Sequence, residues 1–189
     1  MSVAVRDLRR TAWEGADAAT VAAIGTGLLL LRAFVHGGAV PLAFLGIYAA
    51  LFVLSYSMAV PAEEASPLGR TAVLGVGVAA VGLVALIGGP RIPLAAGPVA
   101  LGLNVAAAVS EEAFFRRFLY GRLVGLGVPA AIAGSALLFA LVHVPLYGWV
   151  AFGVDLGAGL VLSWQRWASG GWAAPAATHV VADVLAVLR

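Results

Sequence analysis

Glu111-Glu112 and Arg116-Arg117 interrupt an otherwise apolar run, and four ionisable side chains so close together in such surroundings need a chemical reason. On a helix, Glu112 and Arg116 lie four residues apart on one face, acid before base, the favourable order for an ion pair. Glu111 is rotated about 100° from Glu112, toward the face of Phe115, and is left available for other work. Two further polar groups follow in similar settings. His143 ends Phe139-Ala140-Leu141-Val142-His143, and His179 shares a helical face with Asp183 in Thr178-His179-Val180-Val181-Ala182-Asp183. Alone, each histidine would more often be a hydrogen-bonded core residue than a base or a ligand. Together, carboxylates, histidines, an arginine and an aspartate from three separate segments of a chain this poor in charge point to one shared site, of the kind helical bundles build. Such a set suits general acid–base work on water. Two imidazoles and one carboxylate are equally a donor set for Zn²⁺ with a position open for water.

The elements that must hold these groups are defined by composition. The chain has 189 residues, is 62% hydrophobic with a mean hydropathy of +1.03, and is only 11% charged, against about 25% in ordinary soluble domains. A soluble fold of this size would expose too much apolar surface, so the bilayer is the expected solvent. All 11 basic residues are arginine, and a net charge of +2 excludes the basic stripe of a nucleic-acid binder. There is no cysteine, hence no disulfide, thiolate nucleophile or Cys-based metal site.

Apolar segments recur at about 17–35, 40–60, 71–89, 94–110, 128–144, 147–164 and 172–188. They predict an all-α fold, a polytopic transmembrane helical bundle of about seven spans. The breaks hold turn formers or charge: His36-Gly37-Gly38, the stretch 61–70 with Glu63 and Glu64, Gly88-Gly89-Pro90-Arg91, and Ser169-Gly170-Gly171. The connection Pro145-Leu146-Tyr147-Gly148 is so short that one of its flanking spans is expected to be bent or partial. Residues 1–16, with Arg6, Asp7, Arg9, Arg10 and Glu14 among Val3, Val5, Leu8 and Trp13, read as a cytoplasmic or interfacial N-terminal segment, retained rather than cleaved. Residues 17–189 form a single transmembrane domain whose motifs fall in 109–183. Counting Arg6, Arg9, Arg10, Arg70, Arg116, Arg117, Arg122 and Arg166 on one side, against Arg32, Arg91 and Arg189 on the other, favours a cytoplasmic N-terminus.

Three ordered motifs carry a family resemblance: Glu-Glu-x-x-x-Arg at Glu111, Glu112 and Arg116, Phe-x-x-x-His at Phe139 and His143, and His-x-x-x-Asp at His179 and Asp183. With the glycines at 153, 157 and 159 and Gly170-Gly171-Trp172 and Pro175 ahead of His179, the stretch 94–183 resembles the CAAX-protease and bacteriocin-processing (CPBP, or ABI) family of intramembrane proteases, which includes Ras-converting endopeptidases. The resemblance implies an intramembrane endopeptidase in a bacterial plasma membrane, acting on a membrane-embedded or lipid-anchored peptide. It implies Glu111, His143, His179 and Asp183 as catalytic residues, with Glu112 and Arg116 as a structural ion pair. It also implies two mechanisms that need the same residues. In one, Glu111 and His143 polarise water while His179 and residue 183 serve the oxyanion. In the other, Glu111, His143 and His179 hold Zn²⁺ or another divalent metal. Asp183 stands where many members have Asn, and an ionised acid cannot donate to an oxyanion as an amide does. A carboxylate four residues after His179 is, however, suited to orient a metal-bound ring.

Other readings of the same residues exist. An aspartyl dyad of Asp155 and Asp183 would leave Glu111 and both histidines without a role. Asp155 reads instead as a polar residue at an interface or near a span end. Ser135, in Gly134-Ser135-Ala136, reads as helix packing rather than as a nucleophile. Outside enzymes, a transporter, proton relay or scaffold would also place Glu and His inside a membrane.

Overall fold

The computed structural model describes residues 3–35, 40–60, 68–87 and 97–188, the side chains of 3–16 and 87 excepted. His36, Glu63, Glu64, Arg91 and Arg189, and the side chains of the N-terminal segment, lie outside the described residues. Each of the seven apolar segments carries one principal helix: α1 (Val3–Leu31), α2 (Val40–Tyr56), α3 (Arg70–Ile87), α4 (Pro98–Glu112), α6 (Val128–Tyr147), α7 (Trp149–Ser169) and α8 (Ala173–Val187). The fold is an all-α bundle, with no strand among the described residues. The stretches Asp17–Phe34 and Val128–Tyr147 are long and apolar enough to cross a membrane, and Val40–Tyr56, Arg70–Leu86 and Ala173–Val187 are apolar but shorter. Large aliphatic side chains such as Leu42, Leu86 and Val150 point outward.

The largest departure from the sequence reading lies between α4 and α6, where 111–127 was expected to lie between spans and its arginines to mark the cytoplasmic side. The chain there stays helical. α4 passes without a break into a π-helical stretch, Ala113–Leu119, and then into α5 (Tyr120–Leu123). Phe114, Phe115 and Phe118 are completely or almost completely buried, and Phe114 meets Phe115 edge to face at 5.1 Å. Inside an apolar bundle, this close packing, rather than exclusion from water, holds helices together. Arg32, Arg116 and Arg166 are all buried, so they do not belong in a count of loop charges.

A π turn widens the helix and leaves carbonyls to be met from outside. The Phe115 carbonyl accepts a hydrogen bond from Ser135 Oγ of α6 at 3.0 Å, and the Arg116 carbonyl accepts one from Arg166 Nε of α7 at 3.0 Å. Ser135 is thereby committed to the backbone. At the far side of the bundle, Gln165 Nε2 ties α7 to the Val73 carbonyl of α3 and to Thr178 Oγ1 of α8, both at 3.0 Å.

Two close approaches set how the helices are rotated. A Cβ on Gly159 would lie 2.9 Å from the Ala136 Cα, so α7 rests directly on the α6 backbone. A Cβ on Gly25 would lie 2.2 Å from Phe114 Cε2, so α1 sits on the π stretch with Val21, Gly25 and Leu29 turned inward. Pro145 falls inside α6, and the whole connection from α6 to α7 is Gly148. At φ 77° that residue adopts a left-handed backbone open to glycine.

Candidate active site

The site gathers where the C-terminal end of α1, the C-terminal turns of α4 and α6, and the middle of α8 meet. Glu111 and Glu112, the last residues of α4, are buried but serve different partners. Glu112 Oε1 accepts from Arg116 Nη1 at 2.9 Å and faces His179 Nδ1, also at 2.9 Å. The Arg116 guanidinium is wholly buried, donates through Nη2 to the Gly159 carbonyl at 3.2 Å, and lies 4.6 Å from the centre of the Phe139 ring. Helix, ion pair and aromatic face therefore close around Glu112. A charge pair removed from solvent holds its geometry only when its remaining hydrogen-bonding groups are met, and here most of them are.

Glu111 is not the free carboxylate that the sequence suggested. Arg32, in the 3₁₀ turn Arg32–Phe34 that follows α1, donates through Nη1 to Glu111 Oε1 and through Nε to the Leu29 carbonyl at 3.0 Å. Arg32 was expected at a membrane face, yet it is 5% exposed. Gly25 and Arg32 are seven residues apart and so share one helical face. The close seat of Gly25 on Phe114 thus carries Arg32 to Glu111. The guanidinium lies 5.9 Å from the centre of the Tyr48 ring of α2.

The other oxygen of Glu111, Oε2, is 3.6 Å from His143 Nε2. His143 Nδ1 is 2.7 Å from the Phe139 carbonyl, which can only accept, so Nδ1 carries a proton and Nε2 is the nitrogen that faces Glu111. Tyr147, one turn further along α6, stacks on the His143 ring at 5.8 Å and 17°. His179 stands between two carboxylates, with Nδ1 on Glu112 and Nε2 3.7 Å from Asp183 Oδ1. Asp183 is partly open, with 24% of its side chain exposed.

The expected residues Glu111, His143, His179 and Asp183 therefore come together, but as two linked clusters. Glu111 and His143 face each other, while His179 turns to Glu112 and Asp183. The donor set expected for a metal, Glu111, His143 and His179, does not converge: among the described residues no three His, Asp or Glu side chains are placed to hold a metal ion. A resident Zn²⁺ does not fit this arrangement, in which Arg32 already sets a positive charge on Glu111.

Sequence reasoning missed two members. Asp155 of α7 lies within electrostatic range of Glu111, His143 and His179, and its buried Oδ2 has no hydrogen-bond partner. Arg32 is the other. The signal for it was present, since it is the only Asp, Glu, Lys or Arg between Asp17 and Glu63.

Comparison with known proteins bears on the same segment. The model of a family described as type II CAAX prenyl endopeptidase Rce1-like matches residues 93–185. No curated protein and no solved structure matches the chain. This is a family of integral membrane proteins, in keeping with the apolar exterior and the two helices of spanning length. Residues 93–185, which bring Glu111, His143, His179 and Asp183 to one site, match the Rce1-like type II CAAX prenyl endopeptidase family of proteases, in agreement with the three motifs that carry the resemblance.

Proposed function

We propose that this protein is an intramembrane endopeptidase that hydrolyses a peptide bond of a membrane-associated, prenylated peptide, using water activated between Glu111 and His143. The observation that carries the reading is the pair Glu111 Oε2 and His143 Nε2, facing each other at 3.6 Å, both of them acceptors in the neutral-ring form that base catalysis needs. That separation is too long for a direct bond and suits a shared donor, and a water molecule carries two protons to share. Held there, water is oriented by both groups and loses a proton to the carboxylate as its oxygen attacks the substrate carbonyl carbon. The carbonyl π electrons move to oxygen, and the resulting tetrahedral oxyanion needs donors close by. Collapse then breaks the C–N bond, and the proton held by Glu111 passes to the leaving nitrogen. The products are a carboxyl and an amine.

His179 is a positioning residue in this scheme. Its ring is clamped between Glu112 and Asp183, and Glu112 is in turn held by Arg116. The buried ion pair thus sets the α8 wall of the site at a fixed distance from α4. Asp155, from α7, adds a fourth carboxylate, after Glu111, Glu112 and Asp183, within electrostatic range of the two histidines.

The test is cleavage of a quenched-fluorescent prenylated peptide ending in a CAAX sequence, by the full chain in proteoliposomes, with mass-spectrometric identification of the cut bond. Cleavage that disappears in Glu111→Gln is the expected result. Failure of the wild-type protein to cut this peptide, or a pooled library of membrane peptides, would overturn the reading.

A further inference from the structure

An oxyanion formed at Glu111 requires N–H or O–H donors, and nearly all donors at this site are already committed. His143 Nδ1–H is spent on the Phe139 carbonyl, and His179 Nδ1 is directed at Glu112. Arg116 gives Nη1 to Glu112 and Nη2 to the Gly159 carbonyl, and its buried Nε has no partner but belongs to the guanidinium that serves Glu112, not Glu111. An ionised Asp183 is an acceptor only. Arg32 is the donor that lies on Glu111 itself. Its Nε and Nη1 are engaged by Leu29 and Glu111, and its Nη2, shielded from solvent, has no hydrogen-bond partner.

The position of that orphan amine is constrained. A guanidinium is planar, with donors in a rigid fork. Fixing Nε on one side and Nη1 on Glu111 therefore fixes Nη2 as well, next to the carboxylate that activates water. Arg32 is also within electrostatic range of Asp183 of α8 and Tyr147 of α6. A buried donor pair without a partner costs stability until something accepts from it.

We propose that Arg32 is a catalytic residue whose Nη2 donates to the oxyanion of the tetrahedral intermediate, supplying the donor that a carboxylate at position 183 cannot. Arg32 lies outside the segment matched by the family model, on a helix whose seat on Phe114 sets its reach. The chemistry is the hydrolysis described above, on which this proposal rests. Water oxygen bonds to the carbonyl carbon, the π pair becomes the oxyanion, Arg32 donates to it without transferring its proton, and collapse returns the pair as the C–N bond breaks.

The experiment compares wild type, Arg32→Gln, Arg32→Lys and the double variant Arg32→Gln/Asp183→Asn in proteoliposomes. It measures kcat/KM on the prenylated CAAX peptide. It also measures affinity for a phosphinic peptide of the same sequence, which mimics the tetrahedral state, and for the matching reduced-amide peptide, which does not. Arg32→Gln is expected to lose about 10²- to 10³-fold in kcat/KM, to lose phosphinic affinity by a similar factor, and to bind the reduced-amide peptide as wild type does. Asp183→Asn, by restoring an amide donor, is expected to recover at least about tenfold of that loss. Should Arg32→Gln fail to accumulate, Arg32→Lys keeps a cation on Glu111 but not the fork, and the same selective loss of phosphinic over reduced-amide affinity is expected. Equal loss of both affinities, or turnover unchanged by Arg32→Gln in an active enzyme, would overturn the Arg32 role and leave proteolysis standing. Wild-type protein that neither cuts the substrate nor binds the phosphinic peptide would overturn both.

Discussion

Glu111 and Glu112 are neighbours in sequence, alike in chemistry and buried to almost the same extent, yet they lie in opposite kinds of surroundings. Around Glu112 the engaged oxygen has a tight, near-local set of partners, although Oε2 and Arg116 Nε have none. Its partner Arg116 is one turn away, the guanidinium is backed by Phe139 and the Gly159 carbonyl, and His179 completes the cluster. Around Glu111 the partners come from far along the chain, and the groups do not saturate each other. Arg32 is 79 residues away and keeps one guanidinium nitrogen without a partner, and His143 Nε2 stands 3.6 Å from Oε2, too far for a direct bond. A carboxylate bonded at 2.9 Å to a cation on its own helix is held rigidly, whereas one that stands 3.6 Å from its histidine leaves room between them for a water or a substrate group. What separates a structural carboxylate from a chemical one is therefore the company each keeps.

The contrast is broken most severely by removing the chemical side. Glu111→Gln and His143→Ala are each expected to lower kcat/KM by at least about 10³-fold while the protein still inserts and folds. Their combination should cost little more than either alone, because the two act as one unit. Assays of the single and double variants decide this, and near-normal turnover in either single variant removes that residue from the site.

The structural side should fail differently. Arg116→Ala leaves Glu112 buried without its cation, a loss of about 3–5 kcal/mol by analogy with other broken buried pairs. It should show as a lower thermal midpoint and a lower folded yield in detergent. An Arg116 variant that folds normally but is inactive would move Arg116 to the chemical side.

A smaller effect comes from the seat of α1. Gly25→Ala forces a Cβ into the packed Phe114 ring and shifts Arg32 without touching the site. Displacement of a catalytic group by about 1 Å can cost up to about 10²-fold in rate, and a loss of roughly tenfold in kcat with little change in KM is the expected outcome. Unaltered kinetics would show that the α1 register is not set at this contact.

Ser135→Ala removes only the hydrogen bond to the Phe115 carbonyl in the π turn. It is expected to cost about 1 kcal/mol of stability and to retain turnover, as unfolding and activity measurements on one preparation would show. A stable, inactive Ser135 variant would restore the serine to the list of catalytic candidates.

Metal removal should have the least effect. With His179 turned to Glu112 and Arg32 on Glu111, exhaustive chelation is expected to leave turnover unchanged. Inactivation reversed by Zn²⁺ would mean that His179 leaves Glu112 to complete a metal site, which would merge the two clusters.

Much of this was legible in the sequence, for reasons of different strength. Hydropathy alone defines seven apolar helices, because a segment without charge cannot pay for exposure to water. The Glu112–Arg116 pair follows from helix geometry, which brings residues four apart to one face whatever the fold around them. That the polar residues 111, 143, 179 and 183 meet also follows, since each would be costly alone in an apolar bundle. The interval 111–127 was harder to read. A cluster of arginines looks like a loop when counted as charge, and only the pairing of Arg116 with Glu112, of Arg117 with the Ser55 carbonyl and of the Arg116 carbonyl with Arg166 of α7 shows that the segment is packed into the bundle.

By itself, then, the sequence determined the class of fold, the inventory of reactive groups and the one-turn pairs Glu112–Arg116 and His179–Asp183. Tertiary structure decided which carboxylate each distant group would serve, Arg32 on Glu111 and His179 on Glu112, and brought Asp155 within electrostatic range of both histidines. The physical reason is that periodicity fixes the angle of a residue about its own helix. Its partner on another helix depends on the relative rotation and depth of the two axes. Those are set here by close backbone approaches, Gly25 on Phe114 and Gly159 on Ala136, whose consequences appear only once the helices are packed.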